Sequence, residues 1–147
     1  MSRPQDIEPS QVVEILGELI AALAAFAAKV PSNTLMAMSG GIRPTLEIAE
    51  SYEEIVYRFR DRAGKSTFKV LTTYFLDSLE AFEGGRVFDA VTPLQQAVEQ
   101  LVELHKEEKV TFTSAEQDRI REYYRRLGKI LPETSKPEID LPPPTSY

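Results

Sequence analysis

The fold is decided by residues 12–28, VVEILGELIAALAAFAA. Val12, Leu16, Leu19, Leu23, Phe26 and, just beyond, Val30 recur at alternating steps of four and three, which draws one continuous seam along a helix. A second seam of smaller groups, Val13, Ile20, Ala24 and Ala27, lies beside it. A helix with two apolar faces needs cover on two sides, so this one is either central to the fold or part of an interface with another chain. It is expected to start near Ser10, after Pro9, and to end near Lys29, ahead of Pro31-Ser32-Asn33. The stretch mimics a membrane span or a signal peptide. Glu14 and Glu18 interrupt it, however, and its 17 residues fall short of the roughly 20 that a span needs. Asp6 and Glu8 against Arg3 give the preceding residues the wrong sign for a leader. The reading is a buried core helix of a cytoplasmic protein that makes no membrane contact.

Working outward, residues 34–38 allow one more turn before Ser39-Gly40-Gly41 forces a loop. Pro44 suits the first position of a second helix, where its missing N–H would go unpaired anyway. That helix should run to about Arg62, burying Ile48, Tyr52, Ile55 or Val56, and Phe59, and stop at Gly64. Ser66 or Thr67 can cap a third, striped by Phe68, Leu71, Phe75, Leu79 and Phe82 and ended by Gly84-Gly85. Thr92-Pro93-Leu94-Gln95 carries the clearest start signal, a capping hydroxyl, a first-turn proline and a glutamine. A fourth helix is therefore expected from there, with Leu94, Ala97 or Val98, Leu101 and Leu104 inward. After an extended Val110-Thr111-Phe112, residues 113–117 offer two overlapping capping boxes for a last helix facing inward with Ile120, Tyr123 or Tyr124, Leu127, and Ile130 or Leu131.

No segment alternates apolar and polar residues, so no sheet is expected. The fold class is all-α, a single-domain bundle of about five helices over 10–131. A leader, 1–9, precedes it. A proline-rich arm, 132–147, follows with five of the ten prolines, including Pro142-Pro143-Pro144. Ile139, Leu141 and Tyr147 give that arm apolar anchors.

At 147 residues with 42% apolar content the chain can bury a core of its own. The absence of cysteine excludes disulfides and thiolate chemistry. The net charge of -6 argues against a general nucleic-acid coat, whose affinity would come from Lys and Arg. A single asparagine, no cysteine and many charges are features of heat-adapted proteins, and also arise by chance in a short chain.

Gly64-Lys65-Ser66-Thr67 has the ending of a phosphate-binding loop, but Phe59 stands where its first glycine belongs and a helix precedes it. A helix stop followed by a cap explains all four residues. The only histidine, His105, has no second histidine or cysteine to form a metal or nucleophile set, and its place near a helix end suits the helix dipole. Glu53-Glu54 and Glu107-Glu108 are helix neighbours pointing apart. No catalytic residue, metal ligand, cofactor or small-molecule substrate can be assigned. The last helix is different. Arg119, Arg121, Arg125, Arg126 and Lys129 surround Tyr123 and Tyr124, a mixture suited to phosphate contact and base stacking. An amphipathic helix with a Glu122–Arg126 pair and half-buried tyrosines accounts for the same residues.

The stretch 31–49 is a proline-broken helix, an apolar turn ending at Gly40-Gly41, then Thr45-Leu46 opening a new helix. With the chain's size and helicity, it resembles the small helical subunits of CRISPR effector ribonucleoproteins. The resemblance implies a non-enzymatic subunit that lines nucleic acid within a larger assembly. Two expectations follow. The first is a non-enzymatic subunit acting through protein–protein contacts, including contacts with its own copies, at Val13, Ile20, Ala24, Ala27, Ile139, Leu141 and Tyr147. The second is a nucleic-acid-contacting subunit of a ribonucleoprotein, using the last helix.

Overall fold

The computed structural model describes residues 7–29 and 43–131. Five α-helices and one 3₁₀ turn make up these residues, with no strand among them: α1 (Pro9–Ala28), α2 (Leu46–Ala63), the turn Thr67–Val70, α3 (Leu71–Glu83), α4 (Val87–Lys106) and α5 (Ser114–Ile130). This is the all-α bundle expected. Sequence-level expectations for Val30, the 34–41 turn and loop, most of the 31–49 stretch, and the arm with Ile139, Leu141 and Tyr147 lie outside the described residues.

Successive helices alternate in direction. Arg62 Nη2 donates to Gln11 Oε1 (3.0 Å) and Arg58 pairs with Glu18 (2.8 Å), so α2 descends beside a rising α1. Rings at Tyr52–Phe82 and Phe59–Phe75, 4.6 and 4.7 Å between centroids, set α3 rising beside α2. α4 returns down α3, and α5 rises against α4 with Tyr124 opposite Glu99. One core results, running from Ile7 to Leu131.

α1 is the element the others enclose. Val12, Val13, Leu16, Leu19, Ile20 and Leu23 are each 0% exposed. The helix has the length and the mean hydropathy (1.8) of a membrane span. Its two seams are nonetheless covered by α2, α4 and α5 of the same chain. At its start Glu8 caps the helix, its N–H bonded to Gln11 Oε1 (2.9 Å). Ile7 and Val12, at the positions that form a hydrophobic staple, are both buried. Residues 7–9 thus belong to the helical domain rather than to a leader.

Several helix starts differ from expectation. Thr45 caps α2 by accepting from Ile48 N–H (3.3 Å), which leaves Pro44 outside the helix rather than at its first position. Ser66 caps the 3₁₀ turn that leads into α3. The largest correction concerns α4, which begins at Val87 and carries Pro93 inside it rather than at its first turn. A proline there removes the bond to the Asp89 carbonyl and costs about 3 kcal/mol. Starting early buries Val87, Ala90 and Val91, all at 2% exposure or less. Two fully buried valines contribute roughly 3–6 kcal/mol, enough to override the local start signal. The same extension supplies the Ala90 carbonyl to Ser78 Oγ–H (2.8 Å). Since that proton is committed, Tyr52 donates its hydroxyl to Ser78 Oγ (2.6 Å), linking α2, α3 and α4 in the dry core.

Candidate interaction surfaces

α5 is set by the capping box expected of it: Glu116 N–H bonds Thr113 Oγ1 and Thr113 N–H bonds Glu116 Oε1. Gln117, the alternative partner, instead donates to the Phe112 carbonyl (3.1 Å). The helix buries Ile120, Tyr123, Leu127 and Ile130. This register decides what its basic and aromatic residues can do.

Tyr123 is 7% exposed and its ring tip stands against the bare Cα of Gly17, where an added Cβ would meet Tyr123 Oη at 2.3 Å. Burial pushes its phenol above the ordinary tyrosine range, the neighbouring Arg119 and Arg126 oppose this, and Glu14 adds to it. Tyr124 is half-buried and donates to Glu99 Oε2 (3.2 Å); burial and that carboxylate push it up to about 12. Tyr123 is thus packed into the core against α1, which leaves it no free face for stacking a base, while Tyr124 is tied to α4 through its hydroxyl. Arg121 pairs with Asp118, and Arg125 with Glu122 at 2.7 Å. The i,i+3 Glu122–Arg125 contact stands in place of the expected Glu122–Arg126 pair, and Arg126 lies near enough to Tyr123 for its charge to act on the phenol. Such exposed pairs contribute only about 0.2–1 kcal/mol. Lys129 is exposed.

The second seam of α1 is divided between core and partly exposed positions. Val13 and Ile20 are fully enclosed by the chain itself, and Ala24 and Ala27 are half-buried against the same core.

His105 closes the lower end of α4. Its Nδ1 accepts from Phe112 N–H (3.3 Å), which places the proton of the neutral imidazole on Nε2. Its ring lies 5.9 Å from that of Phe112, which in turn lies 6.5 Å from Phe68. Val102, His105, Phe112, Gln117, Ile120 and Arg121 line a shallow, mainly apolar hollow of about 80 Å³. That is far below the several hundred Å³ of a typical metabolite site and suits a single side chain.

A surface that residue-by-residue reading missed lies on the α2–α3 hairpin. Residues 46–57 of α2 hold Glu47, Glu50, Glu53 and Glu54 and no base, and α3 holds Asp77, Glu80 and Glu83 and no base. Every base of the hairpin falls in 58–69: Arg58, Arg60, Arg62, Lys65 and Lys69, against Asp61 alone. Because the two helices run antiparallel, all seven of the other acids gather toward one end and all five bases at the other. The large exposed apolar residues of the hairpin follow the same division, Leu46 (75% exposed) at the acidic end and Val70 (43%) at the basic end. Between them Arg60 stacks over the Tyr57 ring at 4.4 Å. The signal was present as charge blocks in the sequence, but only the hairpin brings blocks that are 30 residues apart to one end.

No family model, curated protein or solved structure matches the chain.

Proposed function

We propose that the chain is a non-enzymatic helical subunit that works by binding protein, and that the α2–α3 hairpin is its binding surface. The observation that supports this reading is the placement of acids at the C-terminal end of α3. A helix dipole favours acids at the N-terminus and bases at the C-terminus, which accounts for the arrangement in α2. It opposes Glu80 and Glu83 in the last turn of α3. Glu83 is held above the usual carboxylate range by partial desolvation and by the nearby Glu53. The acidic end therefore costs the isolated chain stability, and a complementary surface on a partner would recover it. Among the described residues no three of these carboxylates converge on a position that a metal ion would occupy.

The test is retention of partners by the full chain. Wild type and the double variant Glu50→Lys/Glu80→Lys, each checked for helical circular dichroism, are immobilised at low salt against a lysate of the native source. Protein retained in stoichiometric amount by wild type, including the chain's own copies, and lost from the variant is the expected result. Equal retention by both would sink the reading. Retention of nucleic acid that is abolished by Arg121→Glu/Arg125→Glu would replace it with the ribonucleoprotein reading.

A further inference from the structure

We infer that the partner of the α2–α3 face is a second copy of this chain, docked antiparallel about a two-fold axis. The inference rests on the protein-binding reading above and specifies its occupant.

The face itself is defined by helical rows. On α2, Leu46, Glu50, Glu53, Tyr57 and Arg60 follow one another at steps of four and three and so share one side, the side on which Glu53 approaches Glu83 of α3. On α3, Val70, Thr73, Asp77 and Glu80 form the corresponding exposed row. The combined face is apolar and basic at one end, aromatic in the middle, and apolar and acidic at the other.

A face polarised in this way is complementary to itself when turned through half a circle. The acidic end of each copy then meets the basic end of the other, so Glu50, Glu53 and Glu80 oppose Arg60 and Lys69 twice over. Leu46 of each copy then lies over the lower end of the other copy's α2, and Val70 over the upper end of the other copy's α3. Tyr57, with Arg60 stacked on it, lies near the axis. An aromatic ring with arginine at the centre is the usual core of such a contact, and here Leu46 and Val70 lie at its two ends. A two-fold arrangement satisfies both ends at once and closes, whereas head-to-tail stacking would satisfy only one contact per junction and would continue. Side-by-side docking of two copies in the same direction sets acid on acid and base on base.

The expected strength follows from size. The 18 residues of α2 make the face about 27 Å long, and two helices wide it buries roughly 500 Å² per copy, near the lower limit for a specific contact. The dimer should therefore be weak and salt-sensitive, since most of its charges stay within reach of solvent.

Sedimentation velocity of the full chain tests this with a charge swap. Wild type should pass from monomer to dimer with rising concentration at low salt and return to monomer at high salt. Arg60→Glu/Lys69→Glu makes the face acidic throughout, and Glu50→Lys/Glu53→Lys/Asp77→Lys/Glu80→Lys makes its acidic end basic. Each variant alone should stay monomeric, and an equimolar mixture should regain a one-to-one dimer. Wild type monomeric at every concentration, variants that dimerise as wild type does, or a mixture that fails to associate would each overturn the inference. Growth beyond a dimer would overturn the two-fold geometry. If the chain is monomeric yet the lysate experiment returns a different protein, the broader reading stands and this one falls.

Discussion

Gly17→Ala gives a test of sign. In most helix interiors this change stabilises by about 1 kcal/mol, because glycine has the larger conformational entropy to lose. Here the new methyl would stand 2.3 Å from Tyr123 Oη and 2.9 Å from its Cζ, against an optimum of about 3.5–4.0 Å between carbon atoms. The tyrosine ring must move by about 1 Å, and at 7% exposure it has little room to do so. Overpacking of this kind costs roughly 1–3 kcal/mol. Set against the helix gain of about 1 kcal/mol, the net expectation is a loss reaching about 2 kcal/mol. Urea unfolding followed by circular dichroism measures it, with the change repeated in a Tyr123→Ala background. There the obstruction is gone and Gly17→Ala should turn stabilising by about 1 kcal/mol. Stabilisation by the same amount in both backgrounds would show that Tyr123 does not pack on Gly17, and with it the register of α5 against α1 would be wrong.

Other consequences are equally direct. Ser78→Ala leaves the Tyr52 hydroxyl without its partner in the core and should cost about 1–3 kcal/mol. Adding Tyr52→Phe to it should cost less than the sum of the two changes, as a double-mutant cycle will show; strict additivity would contradict the linked hydroxyls. Leu19→Ala should lose roughly 2–5 kcal/mol in chemical denaturation, and a loss below about 0.5 kcal/mol would refute the central place of α1. Folding raises the titration of Tyr124 from 10.0 to about 12, so the unfolded chain releases that proton first as pH rises. The stability this group contributes is fully present below pH 10 and is lost progressively toward pH 12. Urea midpoints should fall across that window, and Tyr124→Phe should flatten the slope; an unchanged slope would refute the assignment.

The candidate surfaces were legible only in part. The basic residues of α5 could be listed from the sequence, but whether Tyr123 and Tyr124 faced solvent depended on Gly17 and Glu99, which lie on other helices. Neither residue carries a local signal of that role. Ser78 gave none either, since a serine in an amphipathic helix is ordinarily solvated; its burial follows from the positions of Tyr52 and Ala90. The polarised hairpin face was written in the charge blocks of α2 and α3, yet it becomes a surface only when the two helices lie antiparallel.

What the sequence determined by itself was whatever depends on neighbours within a few residues. The seam from Val12 to Phe26, the stop at Gly64, the Thr113–Glu116 capping box and the stripe from Phe68 to Phe82 are properties of a single helix turn or of one helical face. Their positions are fixed by local spacing and capping, although the apolar stripes gain their burial energy only when other helices cover them. Tertiary structure decided the cases in which local and distant terms compete. Thr92-Pro93 is a strong local start signal, yet α4 begins at Val87 because burying two valines outweighs one lost hydrogen bond. Val13 and Ile20 formed a second seam open to either fate, and they became core because α1 has three helices around it, a fact no spacing within α1 contains.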